Sequence, residues 1–238
     1  MDPKFEIASA RSLENATIPA SAPERRRRGV DASEYPFKRG FDIVLAAAML
    51  LFLLPLAVLI AGLIGLGGQP IFFRSHRIGR GGRRFAMYKF RTMEFDAERR
   101  LQTYLANNPQ ARLDYEARYK LKGDPRVTRL GRFLRQFSLD ELPQLINVLK
   151  GEMSLVGPRP RLLREIADAE RYNARHFEAY YLCRPGMTGL WQVSGRSDTD
   201  YHTRIRLDAI YVRQMSLLQD LAILAQTIPV VLLGRGEY

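Results

Sequence analysis

From Ile43 to Gly68 the chain reads IVLAAAMLLFLLPLAVLIAGLIGLGG, without one charged side chain. An α-helix needs about 20 apolar residues to cross a bilayer. The run is therefore long enough to enter a membrane, and longer than a buried core helix requires. Two features argue against a simple crossing. Pro55 lacks an N–H and crowds the preceding turn, so it is expected to break the helix. Both flanks are also basic: Arg25 to Arg28, Lys38 and Arg39 before the run, and Arg74, Arg77, Arg80, Arg83 and Arg84 after it. The positive-inside rule then puts both flanks in the cytoplasm. A re-entrant helix bent at Pro55, entering and leaving by one leaflet, satisfies both. The backbone groups freed at the bend must be satisfied locally.

Charge and cysteine content narrow the rest. The net charge of +12 over 238 residues favours acidic partners, such as an anionic lipid bilayer or a phosphate-rich substrate. No stacking motif of a nucleic-acid module accompanies it, so nucleic acid is not an expected partner. One cysteine, Cys183, excludes an intrachain disulfide, and three scattered histidines do not make a zinc site. A metal here would need carboxylate ligands, which points to Mg²⁺ or Mn²⁺.

The expected organisation has three parts. Residues 1–34 form a disordered basic tail whose arginine run meets anionic lipid. Residues 35–69 are the re-entrant membrane helix, and residues 70–238 are a cytoplasmic domain. The fold class is α/β, mostly helical. Ile71 to Arg74 and Phe85 to Phe90 have strand composition around a glycine-rich turn, Gly79 to Gly82. Ala97 to Lys122 is polar and helical. Val127 to Phe137 reads as an amphipathic basic helix, suited either to the membrane interface or to packing on the core as a surface helix, with Arg129, Arg132 and Arg135 between apolar residues. Leu142, Leu145, Ile146 and Leu149 mark one face of a helix that Gly151 ends. Further helices are expected over 161–181, 200–215 and 217–233, with a loop from Cys183 to Arg196.

The chemistry concentrates at Ser138-Leu139-Asp140-Glu141-Leu142-Pro143. Ser138 and Glu141 have capping-box spacing, while Asp140 as the cap would put Pro143 in the first turn. In either register the acids sit at the positive end of a helix, which favours their ionised forms. An ionised aspartate can attack phosphorus or bind Mg²⁺. Such a pair in isolation is an ordinary helix cap; its company changes the reading. Lys89 and Arg91 in YKFRTM, Arg159 in GPRPR and Arg196 in WQVSGR each stand beside stiff or glycine-permitted backbone, as phosphate binding requires.

KFRTM, GDPRVTRLGRFLRQFSLDELPQLINVLKGEMSLVGPRP, RPGMTGLWQVSGR and a C-terminal D-x-x-Y-V-x-x-x-S-L-x-x-D-L-x-I-L pattern together resemble the bacterial sugar transferase family. These are small monotopic polyprenyl-phosphate phosphoglycosyl transferases. The resemblance runs from about Tyr35 to the C-terminus. Within the family the chain looks most like enzymes that begin exopolysaccharide repeat units on undecaprenyl phosphate with a hexose-1-phosphate. The donor there is UDP-galactose or UDP-glucose. The resemblance implies a bacterial inner-membrane protein working at the cytoplasmic face, with room for homo-oligomers. It also implies a two-step reaction. Asp140 attacks the β-phosphate, UMP leaves, and the lipid phosphate displaces the aspartyl-phosphosugar. Glu141 matches the second acid of the pair. Mg²⁺ is the implied cofactor, touched by Asp140. Arg159 and Arg196 match phosphate or nucleotide-sugar contacts, and Lys89 and Arg91 lie in the other basic motif. The chain departs from the family at Ser75-His76, where Gln and an acid are usual, and at its Gly236-Glu237-Tyr238 end.

Overall fold

A computed structural model describes residues 34–118, 121, 123–163, 165–166, 178–194 and 201–234. The expected disordered tail, Arg196 and the C-terminal Gly-Glu-Tyr lie outside these residues, as does most of the helix expected over 161–181. Among the described residues the architecture is mostly helical, with two small two-stranded sheets. The chain divides into two compact units. One holds Met1–Met49, Arg74–Tyr88 and Gln144–Ile228; the other holds Leu50–Phe73, Lys89–Pro143 and Pro229–Tyr238.

Helix α1, Lys38–Leu66, contributes its first part to one unit and its remainder to the other. Its length and composition suffice to cross a membrane, and only 11% of its most apolar stretch is buried. The expected break at Pro55 does not divide it: the helix is one element across the proline. A single lost N–H bond within a long apolar helix is tolerated where the rest of the ladder holds. Lys38, Asp42 and Ala46 are buried at fourfold spacing near its start, and Ile60 and Ile64 near its end. Side chains four apart share one helix face. The opposite face leaves Val44, Leu51, Phe52 and Leu66 exposed.

In the first unit that start is fastened by polar contacts. Lys38 Nζ donates to Asp220 Oδ2 at 2.6 Å and to the Val156 carbonyl at 3.1 Å. Tyr35 and Tyr211 hydroxyls donate to the same carboxylate at 2.9 and 2.7 Å. Asp42 Oδ1 accepts from the Leu155 N–H, and Arg39 donates to the carbonyls of Val148 and Leu149. Lys38, counted in the sequence as a flank charge, is thus buried in the fold, and Arg39 beside it is half-buried.

Strands β1 (Phe72–Ile78) and β2 (Arg84–Phe90) pair across a 3₁₀ turn at Arg80–Gly82, a link too short for parallel pairing. The first strand runs four residues beyond its sequence-based limit. Helices α2 (Ala97–Asn107) and α3 (Pro109–Arg118) replace one long helix, because Asn108 precedes a proline and leaves the helical conformation, with φ −134° and ψ 85°. Helix α4 (Arg129–Gln136) starts at Thr128, whose hydroxyl accepts from the Gly131 N–H at 2.8 Å. Helix α5 (Gln144–Lys150) ends at Gly151, with φ +83°. It buries Leu145, Asn147 and Val148 but leaves Ile146 exposed, off the expected apolar face.

The segment expected to be a loop contains structure. Strand β3 (Ser154–Val156) pairs in parallel with β4 (Gly186–Thr188), and α6 (Leu190–Ser194) follows. The pair closes because Gly157 and Gly186 have no side chains. A Cβ on Gly186 would stand 2.0 Å from the Gly157 nitrogen. Helices α7 (Tyr201–Gln214) and α8 (Leu217–Leu232) complete the described chain close to their expected limits.

Candidate active site

In the second unit, Asp140 and Glu141 occupy one 3₁₀ turn, Leu139–Glu141, just ahead of Pro143 and α5. Neither capping register expected from sequence is realised. Ser138 takes a left-handed conformation, φ +55°, and its side chain caps nothing. That turn is anchored through Leu139 and Leu142. These pack on a core of Ile60, Ile64, Phe90 and Leu134. The acid pair is therefore carried by the same apolar cluster that grips the end of the long helix.

Lys89, on β2, reaches both acids. Its Nζ lies 2.5 Å from Glu141 Oε1 and 3.4 Å from Asp140 Oδ2. Asp140 is 6% exposed. Burial pushes its carboxyl above the ordinary carboxylate range. Lys89 opposes this, Glu141 adds to it, and Arg135 opposes it. A helix end alone was expected to favour the charged form; desolvation dominates instead. The result is a shielded carboxylate beside one ammonium, with raised basicity and a partner that limits the cost of its charge.

Arg135 was read from sequence as one of three lipid-facing arginines. The structure turns it inward: its Nε donates to Thr92 Oγ1 at 2.9 Å, within the KFRTM motif. Arg129, Arg132 and Phe133 remain on the exposed side of α4. A three-residue helical spacing carried no sign that Arg135 would face the acids. Arg91 turns another way, with its Nε donating to the Pro70 carbonyl at 3.0 Å and its guanidinium over Phe73. It does not join the group of Lys89, Asp140 and Glu141.

Arg159 belongs to the first unit, where its guanidinium lies over the Trp191 ring. Asn147, also in that unit, escaped the sequence reading because a lone asparagine on an apolar helix has no pattern. It is fully buried, accepts from the Tyr88 N–H and donates to the Ala86 carbonyl and Glu152. It thereby fixes the strand immediately before Lys89.

No cluster of three or more His, Cys, Asp or Glu side chains suited to a metal occurs among the described residues. The donor set at Asp140 and Glu141 nevertheless fits Mg²⁺. That ion is commonly held by one or two carboxylates with substrate phosphates and water completing its shell.

The family model for "Bacterial sugar transferase" matches residues 33–234. The chain is 48% identical over 201 residues to an undecaprenyl-phosphate galactose phosphotransferase of Salmonella typhimurium, covering 84% of this chain and 41% of that protein. It is 48% identical over 202 residues to the exopolysaccharide production protein ExoY of Sinorhizobium fredii, covering 84% and 88%. A UDP-glucose:undecaprenyl-phosphate glucose-1-phosphate transferase of Caulobacter vibrioides is 41% identical over 209 residues, covering 84% and 72%. The chain thus spans less than half of the Salmonella relative and most of the Sinorhizobium one. With the family match running through both units and the acid pair, this chain belongs to the bacterial sugar transferase family.

Proposed function

We propose that this protein transfers a hexose-1-phosphate from a UDP-sugar to undecaprenyl phosphate, releasing UMP, as the first membrane step of exopolysaccharide synthesis. The observation that carries the reading is a buried aspartate, Asp140, with the Lys89 ammonium 3.4 Å from its Oδ2. The relatives named for galactose and glucose transfer to undecaprenyl phosphate support the substrate class.

In this reading an Asp140 oxygen forms a bond to the β-phosphorus. The bond from that phosphorus to the oxygen bridging the α-phosphate breaks, and UMP leaves with the electron pair. An oxygen of the lipid phosphate then attacks the same phosphorus and returns Asp140 as a free carboxylate. Carboxylate and diphosphate repel, so positive charge must be in place first. Lys89 supplies part of it and orients Glu141 beside the nucleophile. Mg²⁺, held by Asp140 and assisted by Glu141, would neutralise phosphate charge when bound. Arg159 and Arg196 are assigned to nucleotide-sugar phosphates, and Arg91 to a supporting role near Phe73.

The same reading makes residues 35–69 a re-entrant membrane helix that turns by a kink at Pro55 within one continuous helical element, with the remaining domain at the cytoplasmic face of the inner membrane. The lipid phosphate stays at headgroup depth, so an enzyme seated there needs no channel. The test uses purified full-length protein with Mg²⁺, a short polyprenyl phosphate and a panel of UDP-hexoses. UMP should appear with UDP-galactose or UDP-glucose. Asp140→Asn should abolish both UMP release and trapping of β-³²P label on the protein. Release of UDP instead of UMP would overturn the mechanism.

A further inference from the structure

Helix α1 ends at Leu66, and the aromatic side chains that follow it are left open by the fold. Phe72 and Phe73 begin β1 and are 48% and 46% exposed. Consecutive strand residues point to opposite faces, so both faces of this strand end stay uncovered. The rings are nevertheless held. Phe72 stacks on the core residue Phe90 with ring centres 5.7 Å apart, and the Arg91 guanidinium lies 5.9 Å from the centre of the Phe73 ring. A third ring belongs to the loop after β2. Phe95 is 77% exposed, and its neighbour Glu94 accepts from Gln69 Nε2 at 2.8 Å. Gln69 stands three residues beyond the end of α1, so that bond ties the Phe95 segment to the helix exit.

Arg91 joins these parts. Its backbone N–H donates to the Ile71 carbonyl at 2.9 Å and its Nε to the Pro70 carbonyl at 3.0 Å. Among the described residues no carboxylate pairs with its guanidinium, which leaves its Nη groups to a partner from outside the fold. All of these residues lie in the second unit. Exposed rings grouped with an uncompensated cation mark an interaction surface. Its place says what covers it. The surface continues the open apolar side of α1, where Leu63 and Leu66 are exposed. Rings at headgroup depth and arginine on phosphate are what a bilayer interface selects. A guanidinium also matches the geometry of phosphate oxygens.

We propose that Phe72, Phe73, Phe95 and Arg91 form a lipid seat at the exit of α1. The rings enter the upper acyl region, and Arg91 binds the phosphate of an anionic phospholipid. This rests on the proposed membrane placement of α1 and goes beyond it, because it fixes the depth at which the helix leaves the bilayer. It fixes the site as well. Lys89 precedes Arg91 by two residues of extended chain, about 7 Å, so a seated Arg91 holds Lys89 and its acid partners near headgroup depth.

The test places tryptophan singly at Phe73, at Phe95 and, as a control on the exposed side of α1, at Phe52 in full-length protein reconstituted in liposomes. Trp191 is buried, and its signal in the parent protein is subtracted. Phosphatidylcholine spin-labelled near the glycerol should quench Phe73→Trp and Phe95→Trp more than the same lipid labelled deep in the acyl chain. Quenching of Phe52→Trp with neither of the others quenched overturns the seat and leaves the membrane helix standing. An unquenched Phe52→Trp overturns both. Quenching of Phe73→Trp and Phe95→Trp that disappears as protein density rises would assign the surface to a second copy of the chain and overturn the lipid reading. The role of Arg91 is read from the preference for spin-labelled phosphatidylglycerol over phosphatidylcholine. Arg91→Gln should reduce that preference about five-fold, and Arg91→Lys should recover part of it. An unchanged preference in Arg91→Gln overturns the phosphate contact. So does loss of the preference when a short polyprenyl phosphate is added in an amount equal to the protein, which would assign Arg91 to the acceptor.

Discussion

Burial and the Lys89 ammonium pull the Asp140 carboxyl in opposite directions, and burial prevails. Burial raises that carboxyl, and the neighbouring ammonium lowers it. If Asp140 is the nucleophile, kcat/KM falls as pH drops through its raised titration range. Lys89→Gln removes the opposing charge, so the acidic limb should move to higher pH and the maximum rate should fall. An unmoved limb would assign that titration to another group. Asp208 offers a second pH signature, in stability rather than rate. Burial pushes it up to about 6, against the pull of Arg161. A raised folded-state value means a contribution present below the unfolded value and lost as pH rises through about 6. Between about pH 4 and 6, unfolding free energy should therefore carry a falling component that Asp208→Asn removes. That variant also leaves Arg161 without its ion-pair partner and should cost about 3 kcal/mol overall.

Two elements depend on contacts that no local pattern announces. The first turn of α1 is pinned by Lys38 and Asp220, 1% and 0% exposed, with Tyr35, Tyr211 and the Val156 carbonyl around them. Removing one partner strands a buried charge. Lys38→Met or Asp220→Asn should lower stability in detergent by about 3–5 kcal/mol, whereas Lys38→Met with Asp220→Leu should recover part of that. A double-variant loss equal to the sum of the single losses would show the pair to be uncoupled. The β3–β4 pair depends instead on absent side chains. Gly186→Ala would drive a methyl group against the Gly157 nitrogen, and about 3 kcal/mol of destabilisation is expected from thermal unfolding. Periodicity missed β4 because three residues that include a glycine show no alternation.

For the whole molecule, the proposed re-entrant placement of α1 has a direct test. The helix is long enough to cross, yet buried side chains near both of its ends commit those ends to folded protein. Cysteines placed singly at Pro36 and at Arg80 should both resist a membrane-impermeant maleimide added from the periplasmic side. Labelling of either would mean that the segment crosses. Cys183 is buried and contributes no background in folded protein. Here the sequence was informative in one respect and misleading in another. Length and the absence of charge marked out the long apolar helix, but Pro55 did not divide it, and the contacts that Lys38 and Arg39 make inside the fold had no sign in the sequence.

The sequence by itself determined what depends on neighbours along the chain. The long apolar run, the hairpin around Gly79–Gly82, the helix stop at Gly151 and the adjacency of Asp140 and Glu141 all follow from local covalent order and periodicity. Only the tertiary structure decided which distant groups meet: Lys38 with Asp220, Lys89 with the acid pair, Arg135 with Thr92, and Gly157 with Gly186. Those meetings depend on shape, burial and charge compensation across long stretches of chain. A one-dimensional pattern shows that such groups exist, and packing alone selects their partners.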